Sequence, residues 1–205
     1  MNLVAAVVFS TAAGQASGLP PGVPRYYWSV GLSGSFFTGE KKYAPAVGFD
    51  ATVAYDFGAG SNVEFLLGYG RLGDLQSSAL NSIPVLLSVK LGREWLWRAQ
   101  SGRYYALLSG GVIMHSYDLS SHDRKEFEDA FGYGDYDYTV DSAPAWCLGA
   151  GVELYSATNT KMYLSLDLSY MWHEAEAEHD IDGSKTPETL DLDALVFRVG
   201  LTYQF

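Results

Sequence analysis

Seven charged side chains stand singly among glycines, serines and apolar residues: Asp50, Asp56, Glu64, Lys90, Glu153, Asp167 and Arg198. Carboxylates could do general acid–base work if two of them shared a site beside a nucleophile. These fall in separate segments with no nucleophile adjacent. Isolated charges in a low-dielectric interior are costly, so they must pair or stay hydrated. Lys90 and Arg198 are therefore expected to neutralise some of Asp50, Glu64, Glu153 and Asp167 in an internal polar network. A second candidate is His173-Glu174-Ala175-Glu176-Ala177-Glu178-His179. On a strand its histidines and glutamates face opposite ways, and the spacing is not that of a metal site. It reads as an extension of a strand. There is no phosphate-binding glycine loop, zinc-type Cys/His set or nucleophile elbow. Cys147 is the single cysteine. No catalytic residue, metal or cofactor is expected.

The elements that would position these charges alternate with period two. Tyr27–Phe37 sets Trp28, Val30, Leu32 and Phe36 against Ser29, Gly31, Ser33 and Ser35. Ala46–Phe57 sets Val47, Phe49, Val53, Tyr55 and Phe57 against Gly48, Asp50, Thr52 and Asp56. Asn62–Leu72 sets Val63, Phe65, Leu67 and Tyr69 against Glu64, Leu66, Gly68 and Gly70. A fourth segment opens at Ile83 and runs toward Trp97, with Ser88, Lys90 and Gly92 opposite its apolar odd positions. The fifth, Arg103–Tyr117, has an ambiguous phase because Tyr104 and Tyr105 are adjacent. Pro144–Tyr155, Lys161–Trp172 and Leu195–Phe205 complete a set of eight.

Short connections at 58–61, about 98–102 and 156–160 alternate with longer ones at 38–45, 73–81, 118–143 and 173–189. Short turns on one rim and long loops on the other are the layout of an outer-membrane barrel. The fold class is all-β: an eight-stranded antiparallel up-and-down transmembrane β-barrel. A soluble barrel would instead turn polar residues outward around a greasy cavity. Aromatics gather near strand ends, and Trp28, Trp95, Trp97, Trp146 and Trp172 are assigned to interfacial girdles. Eight strands leave room for side chains and a few waters, so the lumen is expected to be plugged and polar.

The net charge of −11 is concentrated. Residues 118–141 carry a net −6 and residues 173–193 a net −7, leaving +2 elsewhere. The short-turn rim is assigned Arg25, Arg93, Arg98, Arg103 and Lys161. Acidic loops suit solvation or capture of a divalent cation or a cationic, cell-surface partner. The acidic balance argues against nucleic acid. Residues 1–16 read as a secretory signal with cleavage after Ala16, although Met1-Asn2 lacks the usual basic start. Residues 17–205 read as one barrel domain.

Three stretches resemble the small outer-membrane β-barrel family of the OmpA, OmpX, opacity-protein and OmpW types. They are Ile83-Pro84-Val85-Leu86-Leu87-Ser88-Val89-Lys90, Leu148-Gly149-Ala150-Gly151-Val152-Glu153 and Gly200-Leu201-Thr202-Tyr203-Gln204-Phe205. The resemblance implies the bacterial outer membrane, with membrane lipid and lipopolysaccharide as surroundings. It also implies that Tyr203 and Phe205 act as an assembly signal read by the barrel-assembly machinery. The fold hosts many functions, so these motifs specify architecture more than activity; the resemblance implies a structural, adhesive or partner-binding role and no enzyme. An OmpW-like conduit for small hydrophobic molecules is the alternative. Lipid A-modifying barrel enzymes are a second: the deacylase type would need a His-x-Ser pair where this chain has adjacent His115 and Ser116. The palmitoyltransferase type would need Asp141-Ser142 to meet His122 or His173.

Overall fold

The computed structural model describes residues 28–39, 46–58, 60–72, 79–97, 100–118, 125, 129, 136–156, 161–181 and 183–205. The signal segment 1–16, Arg25, Arg98, His122 and the side chain of Trp97 lie outside the described set. Ten strands are described: β1 (Trp28–Gly39), β2 (Ala46–Gly58), β3 (Ser61–Leu72), β4 (Ala79–Trp97), β5 (Gln100–Asp118), β6 (Tyr136–Val140), β7 (Ala143–Tyr155), β8 (Met162–Ile181), β9 (Ser184–Asp191) and β10 (Ala194–Gln204).

Eight of them close into a ring. Each neighbouring pair, β1–β2–β3–β4–β5–β7–β8–β10, is antiparallel, and β10 pairs back onto β1. Closure leaves no unpaired strand edge in the wall, which backbone inside a bilayer requires. Following register partners once around from Trp28 leads through Tyr55, Val63, Val89, Leu108, Leu148, Tyr170 and Leu195 to Thr38. The strands are therefore staggered and tilt about the barrel axis. Where β2 gives way to β3, Gly58 and Gly60 take positive φ of 82° and 80° and Asp56 Oδ1 accepts the Gly58 N–H at 2.6 Å.

Alternation sends one face of every wall outward. Leu32, Phe49, Leu87, Leu108, Leu148 and Leu201 are each more than half exposed, and similar apolar residues surround them on all eight strands. An apolar belt this extensive is not stable against water. It is the surface of a lipid-facing barrel. Trp28 projects near the short-turn rim and packs edge-on against Tyr55. Trp146 and Trp172 are register partners toward the other rim. Trp95 and Trp146 cover Gly102 and Gly110 on the adjacent strand, where a Cβ would strike the indole.

Two expectations need correction. The β5 phase resolves with Tyr104 outward and Tyr105 inward, so Arg103 points into the lumen, 1 % exposed, and is not a rim residue. The second is the connection at 118–143, which carries the strand β6, whereas the strand extension read at His173–His179 is present. β8 continues past the barrel wall to Ile181, flanked by β6 and β9 in a three-stranded sheet. The alternation of Glu174, Glu176 and Glu178 with Ala175 and Ala177 is the same period-two signal as in the wall.

Candidate functional site: a divided lumen beneath an acidic sheet

The lower lumen, toward the short turns, is built from charges. Arg103 on β5 makes a two-pronged contact with Glu153 on β7, Nε to Oε2 at 2.9 Å and Nη2 to Oε1 at 2.7 Å. Its Nη1 reaches Asp56 Oδ2 at 3.1 Å. This fork geometry is available to guanidinium and not to ammonium. Lys90 donates to Glu64 Oε2 at 2.8 Å, and its ammonium lies 5.0 Å from the Tyr105 ring centre. The Tyr105 hydroxyl donates to Asp167. Higher up, Arg198 Nε lies 3.2 Å from Asp50 Oδ2 and opposite Asp167 in the β8–β10 register. All six charges assigned to the lumen, Asp50, Glu64, Lys90, Glu153, Asp167 and Arg198, are buried. Lys90 and Arg198 do not reach Glu153, whose cation is Arg103. Ion pairs of this kind tie β2, β3, β4, β5, β7 and β10 together across the interior.

Above Arg198 the lumen changes character. Leu66, Leu86, Ile113, Ala145, Cys147, Met171, Ala194 and Val196 form an apolar cluster with Phe37 against it. The lumen is thus charged in its lower half and mainly apolar in its upper half. The expectation of a polar interior throughout fails here because β3, β4, β5 and β10 place apolar residues on both faces. A cavity opens in this upper half, lined by Phe37, Pro84, Leu86, Ile113, Met171 and Leu192 together with Ser82, His115, His173 and Arg198. The space is about 40 Å³, room for roughly three waters.

Ser82, His115 and His173 form a hydrogen-bonded line across the upper lumen, from β4 to β5 to β8. Ser82 Oγ is 3.0 Å from His115 Nδ1. His115 Nε2 is 2.6 Å from His173 Nε2, and His173 Nδ1 is 2.9 Å from Pro144 O. No pattern in the sequence marks this line, since His115 and His173 are 58 residues apart. Among the residues weighed for lipid A chemistry, Ser116 is exposed while His115 is turned inward. Asp141 and Ser142 are exposed at the start of β7, and His173 is occupied by His115 and Pro144.

A second apolar cluster lies beyond the histidines, made of Leu80, Val140, Ala143, Ala175, Ala177, Leu190 and Leu192. Val140, Ala175, Ala177 and Leu190 are the inner face of the β6–β8–β9 sheet, and Leu80, Ala143 and Leu192 pack against it. Register places Glu174 beside Asp191, Asp180 beside Lys185 and Asp137 beside Asp180, so the outer face is strongly acidic. Lys185 donates to Glu178 at 2.5 Å, and that carboxylate holds its ammonium above the ordinary lysine pKa. Tyr203 and Phe205, at the opposite end, point outward, and the Phe205 N–H bonds Trp28 O at 2.9 Å.

No protein-family model and no curated protein sequence matches the chain. Solved structures do. OprG from Pseudomonas aeruginosa superposes with a TM-score of 0.55 at 13 % identity, covering 88 % of this chain and 96 % of that one. AlkL, solved in lipid bilayers, gives 0.55 at 15 % identity, covering 94 % and 96 %. A major outer membrane protein from Thermus thermophilus gives 0.53 at 14 % identity, covering 89 % and 100 %. Together with the closed ring and its apolar belt, these establish the chain as an eight-stranded antiparallel barrel with the fold of bacterial outer-membrane proteins.

Proposed function

We propose that the chain is an integral outer-membrane protein that works as a surface binder, with a lower lumen sealed by ion pairs and an acidic outer sheet that meets cationic partners. The observation that carries this reading is the two-faced β6–β8–β9 sheet. Its apolar face is buried beyond the barrel mouth while its carboxylates face outward. A rigid barrel tolerates variation in what it displays, so binding collects there. Clustered carboxylates attract cations over a range set by ionic strength. Lipopolysaccharide and phospholipid are its surroundings, and no nucleic acid partner is expected.

The test replaces residues 174–191 with a short turn, leaving the eight wall strands paired. Folding, read as heat-modifiable gel migration, is expected to persist. Capture of a cationic peptide and adhesion to host cells are expected to be lost. In the intact protein both weaken as salt rises. Unchanged adhesion after trimming overturns the reading.

A conduit for small hydrophobic molecules is the second reading, favoured by the apolar cavity in the upper lumen. It predicts uptake of hydrophobic solutes, and the sealed lower half would then require a sideways exit into the bilayer. The binder reading predicts no such uptake and no steady large conductance in planar bilayers.

A further inference from the structure

We propose that His115 and His173 form a two-histidine site for a late first-row divalent metal ion, Cu²⁺ or Zn²⁺, in the wall of the upper lumen. Pro144 O can only accept, so His173 Nδ1 carries the proton and its Nε2 presents a bare lone pair. That lone pair faces His115 Nε2 at 2.6 Å. His115 therefore donates from Nε2, and its Nδ1 accepts from the Ser82 hydroxyl. The two Nε2 atoms thus face each other across 2.6 Å, with ring centres 4.9 Å apart, while both Nδ1 atoms are held by oxygens. At His173 this is the outer-shell arrangement that fixes ring orientation in histidine metal sites, where the far nitrogen donates to a carbonyl or similar group; His115 reaches it when its Nδ1 takes the proton.

Metal binding needs only a tautomer change at His115. Its proton moves from Nε2 to Nδ1, and the Ser82 hydroxyl reverses from donor to acceptor. No net proton leaves the neutral pair. Two nitrogens at metal–nitrogen distances of about 2.0–2.1 Å in a tetrahedron stand about 3.3 Å apart. The nitrogens must separate by roughly 0.7 Å, and because they face each other head-on both rings must also turn toward the cavity beside them so that their lone pairs meet at the ion.

Among the described residues no group of three or more His, Cys, Asp or Glu converges. The protein therefore supplies two nitrogens, and the remaining positions are open to water, with Met171 lining the same cavity. Such a site captures and releases its ion. Imidazole pairs select Cu²⁺, Zn²⁺ or Ni²⁺, with Cu²⁺ tightest, and disfavour Ca²⁺ and Mg²⁺, which want oxygens. Asp191 and Asp193 line the cavity as well, and with the acidic sheet they raise the local cation concentration. The inference is independent of whether that sheet binds a partner.

The experiment uses the full chain folded in detergent micelles, titrated with Cu²⁺ alone for electron paramagnetic resonance and Zn²⁺ alone for calorimetry. One ion per chain with hyperfine coupling to two imidazole nitrogens is expected. Loss of an outer-shell partner costs about 10–100-fold in affinity, so Ser82→Ala should fall in that range. His115→Ala and His173→Ala should lose at least its upper end, and His179→Ala should bind as wild type. Unchanged affinity in the His115→Ala/His173→Ala double variant overturns the proposal, as does a spectrum with oxygen ligands only. If the alanine variants fail to fold, histidine ¹⁵N resonances of the wild type decide. Zn²⁺ shifts confined to His122 and His179 overturn the site, and shifts at His115 and His173 support it.

Discussion

The two halves of the lumen occupy one tube yet are held together differently. Below Arg198, buried charges meet opposite charges or a hydroxyl, and Arg103 alone serves two carboxylates. Above it, contacts are apolar, and one histidine line crosses a small cavity. The contrast teaches where each kind of interior belongs. A charged interior is intolerant of partial loss, because any unpaired ion is left in a low dielectric. An apolar one tolerates gaps and leaves room to bind. The ion-paired half thus has the character of a structural brace, and the hollow half, beside the acidic sheet, is the one with room for a ligand.

The largest expected effect breaks the lower half. Arg103→Met leaves Glu153, fully buried, without its cation. Destabilisation of about 3–5 kcal/mol is expected, read by urea unfolding in lipid vesicles. The double variant Arg103→Met/Glu153→Leu should recover most of that loss, because the pair is replaced by packed apolar groups. If single and double variants unfold alike, the ion pair is not what holds the lower half.

The same measurement on Leu86→Ala samples the upper half. Truncating a buried leucine costs about 2–5 kcal/mol. Leu86 borders an existing cavity, so the low end, about 2 kcal/mol, is expected, together with tighter uptake of a small apolar probe such as xenon. Between the halves, Ser88 and Ser109 share a hydrogen bond of 2.8 Å. Ser88→Ala orphans one buried hydroxyl and should cost about 1 kcal/mol.

The walls were legible because lipid imposes a rule on every strand: outward positions must be apolar whatever lies inside. Where inward positions are Ser, Gly or charged, as in Ser29 to Ser35 or Ser88 to Gly92, phase can be read directly. It fails where both faces are apolar. Leu66-Leu67 and Leu86-Leu87 hide the upper apolar cluster, since an inward leucine looks like a lipid-facing one. Tyr104-Tyr105 hid Arg103 in the same way, although stepping back by twos from Ser109 would have turned it inward. The pairings themselves were illegible. Glu153 lies 50 residues from Arg103, and only barrel closure with its register brings them together.

The smallest effect on stability should be the largest on recognition. Glu174→Gln, Glu176→Gln and Asp191→Asn remove charge from the outer face of the acidic sheet, where all three side chains are exposed. Exposed charges away from buried networks change stability by no more than about 0.5 kcal/mol, and relief of like-charge crowding between Glu174 and Asp191 could make that change favourable. The neighbouring Ala175, Ala177 and Leu190 keep the apolar inner face intact. Capture of a cationic peptide should fall sharply at low salt and converge with wild type at high salt, where screening over about 3–8 Å removes what the carboxylates contributed. A triple variant that folds normally and still captures the peptide at low salt would detach binding from this face. The search would then move to the residues of 118–141 that carry the rest of the negative charge.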